Sequence, residues 1–503
     1  MNAIYFYKRG PKFLFIGPVT KRMIGCSFNV MLQRGHHDRL LDLALEAIGE
    51  FVTDVCLQLL KLPQSKGDDK TSAMQMCRNL QEMLHSTIPY SLANESTAKL
   101  LKCIDSLSSD IEQWSAEPWN EPILQELISA IIHPAVTSIE LSSDSQHIFP
   151  FGFKWNFLIP LVYSRLHTLN DLRALRLGRP QCEGWVVDNV NISEHLEEFT
   201  FIHMCNDKVL VDLAKLCKSL KCLNVSESRN ITDRSIETIL KIERLEELNV
   251  IGTCISEVGL TRLLNGLAKK QENFDVKSKC RTVLKSFGCS YITYSQSKLL
   301  ASKFPSLVEV RLSHCGVCDL NQLKILKNLR KLSLRSVKFS QIQELLYEIG
   351  SQLVHLDLRH VQSLDVRFIG EMCVALKNFH LFSYGVLQPS LEHYDMELLP
   401  GFQSVSCLEF DCDWNRQWTD YILTQCTNVR KVDVTAHRKD TYLLLKHVLI
   451  SNPMKKLEKL CWSPTSPDGE NIAKQLADQC PNLTEVKGLC KKSMNYRGVQ
   501  LLP

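Results

Sequence analysis

Few residues of this 503-residue chain invite a chemical reading. Cys315 and Cys318 make a C-x-x-C pair, but structural zinc needs four ligands and no second pair follows at finger-like spacing. A redox dithiol would sit at the strand-to-helix turn of a different fold. His355 and His360 form one histidine pair and His36 and His37 another, each too few to hold a metal. G-x-S-x-G, H-E-x-x-H, P-loop and G-x-G-x-x-G spacings are all missing from the sequence. The expectation is therefore a protein without catalytic residues, metal or cofactor.

What must position any binding residues is a repeat. From Val136 onward one pattern recurs: an apolar residue, two others, an apolar residue, one other, an apolar residue. It reads Val136-Ile139-Leu141, Leu172-Leu175-Leu177, Leu196-Phe199-Phe201, Leu220-Leu223-Val225 and Leu245-Leu248-Val250. A weak Leu284-Phe287-Cys289 precedes Leu307-Val310-Leu312, Leu329-Leu332-Leu334, Leu353-Leu356-Leu358 and Leu376-Phe379-Leu381. Val405-Leu408-Phe410, Val429-Val432-Val434 and Leu457-Leu460-Trp462 complete the series. The starts are mostly 22 to 29 residues apart, with larger intervals of 36 and 39, which is the leucine-rich repeat period. The last two apolar positions are two apart, so in a short strand both enter the core and the residue between them faces away. A single unit cannot bury its own apolar face, and neighbours must stack. The sequence thus predicts an α/β leucine-rich repeat solenoid, a horseshoe, over residues 133–490.

The pattern places polar side chains on the concave face. Arg311, Lys331, Arg335, His355 and Arg359 fall there in successive repeats, with Glu309, Asp357 and His380 among them. The five basic residues are expected to form a patch that docks an acidic partner segment, since arginine and aromatic residues are the usual anchors of such surfaces. Further along, Glu409, Asp411 and Asp413 are expected to make an acidic edge beside Trp414 and Trp418.

Ahead of the repeats, residues 38–132 read as a small helical domain. Leu40, Ala44, Ala47, Ile48, Phe51, Val55 and Leu59 make one apolar stripe at helical spacing. Residues 1–37 carry six basic side chains and no acid, and are expected to be a disordered extension. Removing those six from the 59 Lys and Arg leaves 53 against 55 Asp and Glu. So balanced a body argues against nucleic acid as a partner, and no apolar stretch is long enough for a membrane span. Residues 491–503 read as a polar tail. The 20 cysteines, spread along a large chain beside Leu and Val, fit reduced thiols in a cytoplasmic or nuclear protein.

Finer detail carries a family resemblance. Leu220–Ile236, LKCLNVSESRNITDRSI, places Ile-Thr-Asp between strand and helix. Cys217, Cys426 and Cys480 stand near helix ends, and Leu307–Cys315, LVEVRLSHC, ends in cysteine. Residues 136–486 resemble the cysteine-containing leucine-rich repeats of F-box/LRR proteins and related cullin–RING ubiquitin-ligase receptors. The openings and closings typical of an F-box do not precede the repeats. Leu40–Ile48, LLDLALEAI, instead resembles the Elongin-binding box of Zyg-type receptors, with Leu40 as anchor, Ala44 at the usual cysteine, and Ala47 and Ile48 as trailing contacts. The resemblance implies a non-catalytic substrate receptor, with a target on the concave face and an Elongin- or Skp-type adaptor on the helices. The alternative expectation is an adaptor or scaffold unrelated to ubiquitination.

Overall fold

A computed structural model describes residues 37–60, 67–107, 121–141, 158–178, 193–272, 283–315, 318–382, 401–411, 416–435, 441–463, 469–489 and 494–502. The basic residues 1–36 lie outside them. The chain divides into two compact units, Met1–Cys222 and Leu223–Pro503. The division thus falls within the repeats.

The first unit opens with helices α1 (His37–Leu60), α2 (Gly67–Thr87), α3 (Ala93–Ser106) and α4 (Glu121–Ile131). Helix α1 packs on α3, and α2 on α4. The buried face of α1 runs through Leu45, Ile48, Val52, Val55, Cys56 and Leu59, a helical period of three and four. That stripe is turned from the expected one: Ala47 is exposed, and Ala44 and Phe51 are half-buried. Gly49 permits the close approach of α1 to α3, because a Cβ there would stand 2.8 Å from Cys103 Sγ.

Strands β1 (Ser138–Leu141), β2 (Ala174–Leu177) and β3 (Glu198–Phe201) follow, with helix α5 (Leu158–Arg165) between the first two and α6 (Asp207–Leu216) after the third. They pair in parallel and in order, Ile139 opposite Leu175 and Leu175 opposite Phe199. The outer edge of β1 would offer unpaired amides. Asn94 at the start of α3 meets them, its side-chain oxygen accepting from Thr137 N at 2.9 Å and Ser138 N at 3.2 Å. The helices thus close an edge that would otherwise invite another strand.

Strand β4 (Cys222–Asn224) spans the division. In the second unit, helix α7 (Ile236–Lys241) leads to β5 (Glu247–Asn249), α8 (Glu257–Glu272), β6 (Ser286–Ser290) and α9 (Tyr294–Lys303). Next come β7 (Glu309–Ser313), β8 (Lys331–Arg335), α10 (Gln343–Ile349), β9 (His355–Arg359), α11 (Val366–Met372) and β10 (Asn378–Phe382). Beyond them lie β11 (Cys407–Asp411), α12 (Arg416–Gln425), β12 (Lys431–Thr435), α13 (Thr441–Ser451), β13 (Lys459–Ser463), α14 (Gly469–Gln479) and β14 (Glu485–Lys487). Strands β5 to β14 are parallel neighbours in chain order. The expected leucines fill the core: Leu332, Leu334, Leu356 and Leu358 are at most 1% exposed, as are Leu175, Leu177, Leu223 and Val225. At about 1.5–3 kcal/mol for each fully buried aliphatic side chain, this stacking supplies the main driving force. The fold is that of leucine-rich repeats.

Three devices join one repeat to the next. The residue after each of β6, β7, β8 and β9 adopts a left-handed conformation: Tyr291, His314, Ser336 and His360 have φ between 52° and 58°. That twist costs non-glycine residues about 1–2 kcal/mol, but it turns each N–H onto the following strand. Tyr291 N donates to Ser313 O at 2.9 Å, His314 N to Arg335 O at 2.8 Å, Ser336 N to Arg359 O at 2.9 Å and His360 N to Phe382 O at 2.7 Å. Second, cysteines end the helices. The Cys217 thiol donates to Ser193 O at 3.6 Å and the Cys480 thiol to Pro453 O at 3.5 Å, each reaching back to an earlier repeat. Third, within the Ile-Thr-Asp run, Thr232 caps the turn by accepting from Arg234 N at 3.3 Å, and Asp233 accepts from Ser256 N at 2.8 Å.

The expected polar tail forms a hairpin. Strand β15 (Met494–Tyr496) pairs antiparallel with β16 (Val499–Leu502), and β16 adds in parallel to β14. Val499 and Leu501 are buried there, so apolar alternation too short to stand out among polar neighbours extends the sheet by one strand.

Candidate functional site: the strand face of the second unit

The register aligns the outward side chains into columns. Glu309, Lys331, His355, Asn378, Cys407, Lys431 and Lys459 form the first; Arg311, Ser333, Asp357, His380, Glu409 and Asp433 the second. Arg335 lies opposite Arg359 in the third, followed by Phe382. The five expected basic residues therefore share one face, with neighbouring strands about 4.8 Å apart.

Their charges are not left to repel one another. Arg311 pairs with Glu309 at 2.8 Å, and Arg335 Nη1 lies 3.6 Å from Glu227. Arg359 Nε donates to both carboxylate oxygens of Asp357, at 2.9 and 3.2 Å, with the two side chains 10% and 6% exposed. Its guanidinium also sits 5.2 Å from the centre of the Phe382 ring. Burial, and after it His380, depresses the His355 imidazole to about 4, so it is neutral near pH 7. Lys331 remains exposed. The intended patch is thus a ladder of ion pairs.

Arg335 and Arg359 stand side by side where β8 and β9 end. The His360 imidazole is held below its usual value by burial, then by Arg335, Arg359 and His314. Arg335 Nε is covered, yet finds no acceptor among the described residues. Beside it, the exposed His314 ring stacks on Tyr291 at 5.1 Å and 23°, and Tyr291 is 68% exposed. Sequence reasoning missed Tyr291, His314 and His360 as members of this surface. Each is the left-handed residue after a strand, a position the apolar pattern does not mark.

The acidic edge is only partly visible. Glu409 is half-buried and lies 3.4 Å from His380 Nδ1. Asp413 and Trp414 lie outside the described residues, as does the side chain of Asp411. Trp418, expected beside that edge, is instead buried: it sits on α12 and packs edge-on against Tyr421 at 5.8 Å. The C-x-x-C pair is likewise internal. Cys315 and Cys318 are 2% and 6% exposed, and burial, with Cys318 next, pushes the Cys315 thiol up to about 12. Such thiols are poor nucleophiles.

In the first unit, the resembled adaptor box behaves unevenly. Ile48 is 5% exposed and belongs to the core, Ala44 is half-buried, and the side chain of Leu40 lies outside the described residues. Leu43 is a large apolar residue exposed on that stretch of α1, 53% accessible.

Neither the known protein families nor the curated proteins contain a match to this chain. Among solved structures, an internalin from Listeria monocytogenes is similar at 14% identity, covering 67% of this chain and 81% of its own, with a TM-score of 0.34. A structure of the Rad7 and Elc1 complex in yeast matches at 15% identity over 80% of this chain and 96% of that chain, with a TM-score of 0.44. A leucine-rich repeat protein of Leptospira interrogans matches at 15% identity over 73% and 87%, with a TM-score of 0.30. Among the described residues, no helix is long and apolar enough to cross a membrane.

Proposed function

We propose that this chain is a non-catalytic protein-binding scaffold that docks an acidic partner segment across the strand ends of β8 and β9. Arg335 carries the reading, since its side chain is about one-third exposed at the strand ends and its guanidinium, beside Glu227, is placed to meet a partner carboxylate. Lys331 and Tyr291 stand exposed to extend the contact, and arginine with tyrosine is the composition of binding hot spots. Arg311, His355 and Arg359 then act through the shape and polarity of the face, being paired or neutral.

The finer proposal is a substrate receptor of a cullin–RING ubiquitin ligase, with chemistry on other subunits. Its target would occupy the strand face, and an Elongin- or Skp-type adaptor would take α1 through the region of Leu40, Ala44 and Ile48. The support is the resemblance of Leu40–Ile48 to an adaptor box and the exposure of Leu43 on that helix. Affinity purification with quantitative mass spectrometry tests it. Wild-type protein should recover an Elongin or Skp subunit, and Leu43→Asp should lose it while remaining folded, because exposed substitutions shift stability by only about 0.5 kcal/mol. Ile48→Asp is unsuitable, since it would place a carboxylate in the core. Recovery of partners without any such adaptor would favour the scaffold unrelated to ubiquitination.

A further inference from the structure

The sequence sets His355 beside His360, five positions along, whereas the fold sets it beside His380 in the next repeat. Their ring centres are 4.8 Å apart and nearly perpendicular. Donor atoms of His355, Asp357 and His380 lie within 4.8 Å of one another, and so do those of His380, Cys407 and Glu409. His380 belongs to both triads.

We propose that this face binds one divalent transition-metal ion of the zinc class, held by His380, Cys407 and Glu409, with His355 supplying a fourth ligand. The donor set of imidazole, thiolate and carboxylate is one that such ions select, whereas magnesium and calcium prefer all-oxygen cages. Distances agree. Metal bonds of about 2.0–2.3 Å place ligand atoms roughly 3.3 Å apart in a tetrahedron, and His380 Nδ1 already lies 3.4 Å from Glu409 Oε2. The other separations within the His380, Cys407 and Glu409 triad are at most 4.8 Å, and side-chain rotation of these half-buried residues would close them on an ion.

Charge agrees as well. Asp357, Glu409 and Asp433 are consecutive acids of the second column with His380 between the first two. Arg359 neutralises Asp357 and takes its carboxylate. On binding, Cys407 gives up its thiol proton to solvent, and its thiolate together with the Glu409 carboxylate supplies two negative charges that a divalent cation would balance. The same engagement explains why Asp357 orients its neighbours and is not counted among the ligands. The three principal ligands of this site lie on β10 and β11, two and three strands from Arg335 on β8, and their binding of a metal does not depend on the docking proposed there.

The test is titration of the full chain with Co²⁺ as a spectroscopic probe and Zn²⁺ as competitor, in a Cys254→Ser background that removes an exposed thiol. One equivalent should bind, with visible bands of a tetrahedral ion and a thiolate charge-transfer band that Zn²⁺ abolishes. Cys407→Ser should remove the charge-transfer band, and His380→Asn should weaken binding by about 10- to 100-fold or more. Glu409→Gln, which keeps the side-chain shape, should also weaken binding about 10-fold or more, with the far-ultraviolet spectrum unchanged. Absence of one-to-one binding at micromolar metal, or binding that survives both His380→Asn and Glu409→Gln in folded protein, would overturn the site.

Discussion

Arg359→Ala should destabilise the second unit by about 3–5 kcal/mol, the range for breaking a buried ion pair from one side. The cause is what remains behind. Asp357 is 4% exposed and its two oxygens both accept from Arg359 Nε, so truncation strands a carboxylate where water cannot replace the guanidinium. The contact with Phe382 is lost with it. Urea denaturation of wild type and variant gives the difference directly. The double variant Arg359→Met with Asp357→Leu should recover most of the loss, because removing both charges removes the uncompensated one. A loss below about 1 kcal/mol would mean that Asp357 is hydrated and that the pair contributes like a surface bridge. Charge reversal at Arg359 is consequently a folding experiment and cannot report on partner docking.

Phe379→Ala should cost about 3–5 kcal/mol, the range for deleting a buried aromatic ring. Phe379 is wholly buried and stacks on Phe402 at 5.6 Å and 6°; Phe402 meets Tyr421 edge-on at 6.5 Å, and Tyr421 meets Trp418 at 5.8 Å. This aromatic chain joins β10 to α12 of the next repeat. Because repeats are stabilised by their neighbours, the damage should be local. Hydrogen exchange should quicken over β10, β11 and α12 while β6 and β7 keep their protection. Uniform acceleration across the unit would instead indicate a single cooperative core.

The strands were legible because their apolar residues alternate on a strict period, and even the weak Leu284-Phe287-Cys289 forms β6. The face of α1 is harder to read, since Ala44 and Ala47 suit core or surface equally well; Leu45, Val52 and Cys56, outside the expected stripe, are buried beside Ile48, Val55 and Leu59. The polar face was readable as a set but not as pairs. Register decides which side chains meet, and it brings Glu227 to Arg335 and His380 to His355 across stretches of chain that local spacing cannot bridge. Trp418 shows the opposite error, a residue near an acidic run in sequence that its helix turns into the core.

The docking surface itself is tested by reversing Arg335 and Lys331 to Glu together and comparing partner recovery with wild type by quantitative mass spectrometry. Both side chains project from β8, Arg335 about one-third exposed and Lys331 exposed, so the variant should remain folded, losing no more than about 1 kcal/mol with the surface pair to Glu227. The expected result is a folded variant with at least a tenfold loss of a defined set of partners, about 1.4 kcal/mol of binding free energy, and the same partners should weaken with added salt. A folded variant that recovers the same proteins in the same amounts would contradict the assignment of this face as the binding surface.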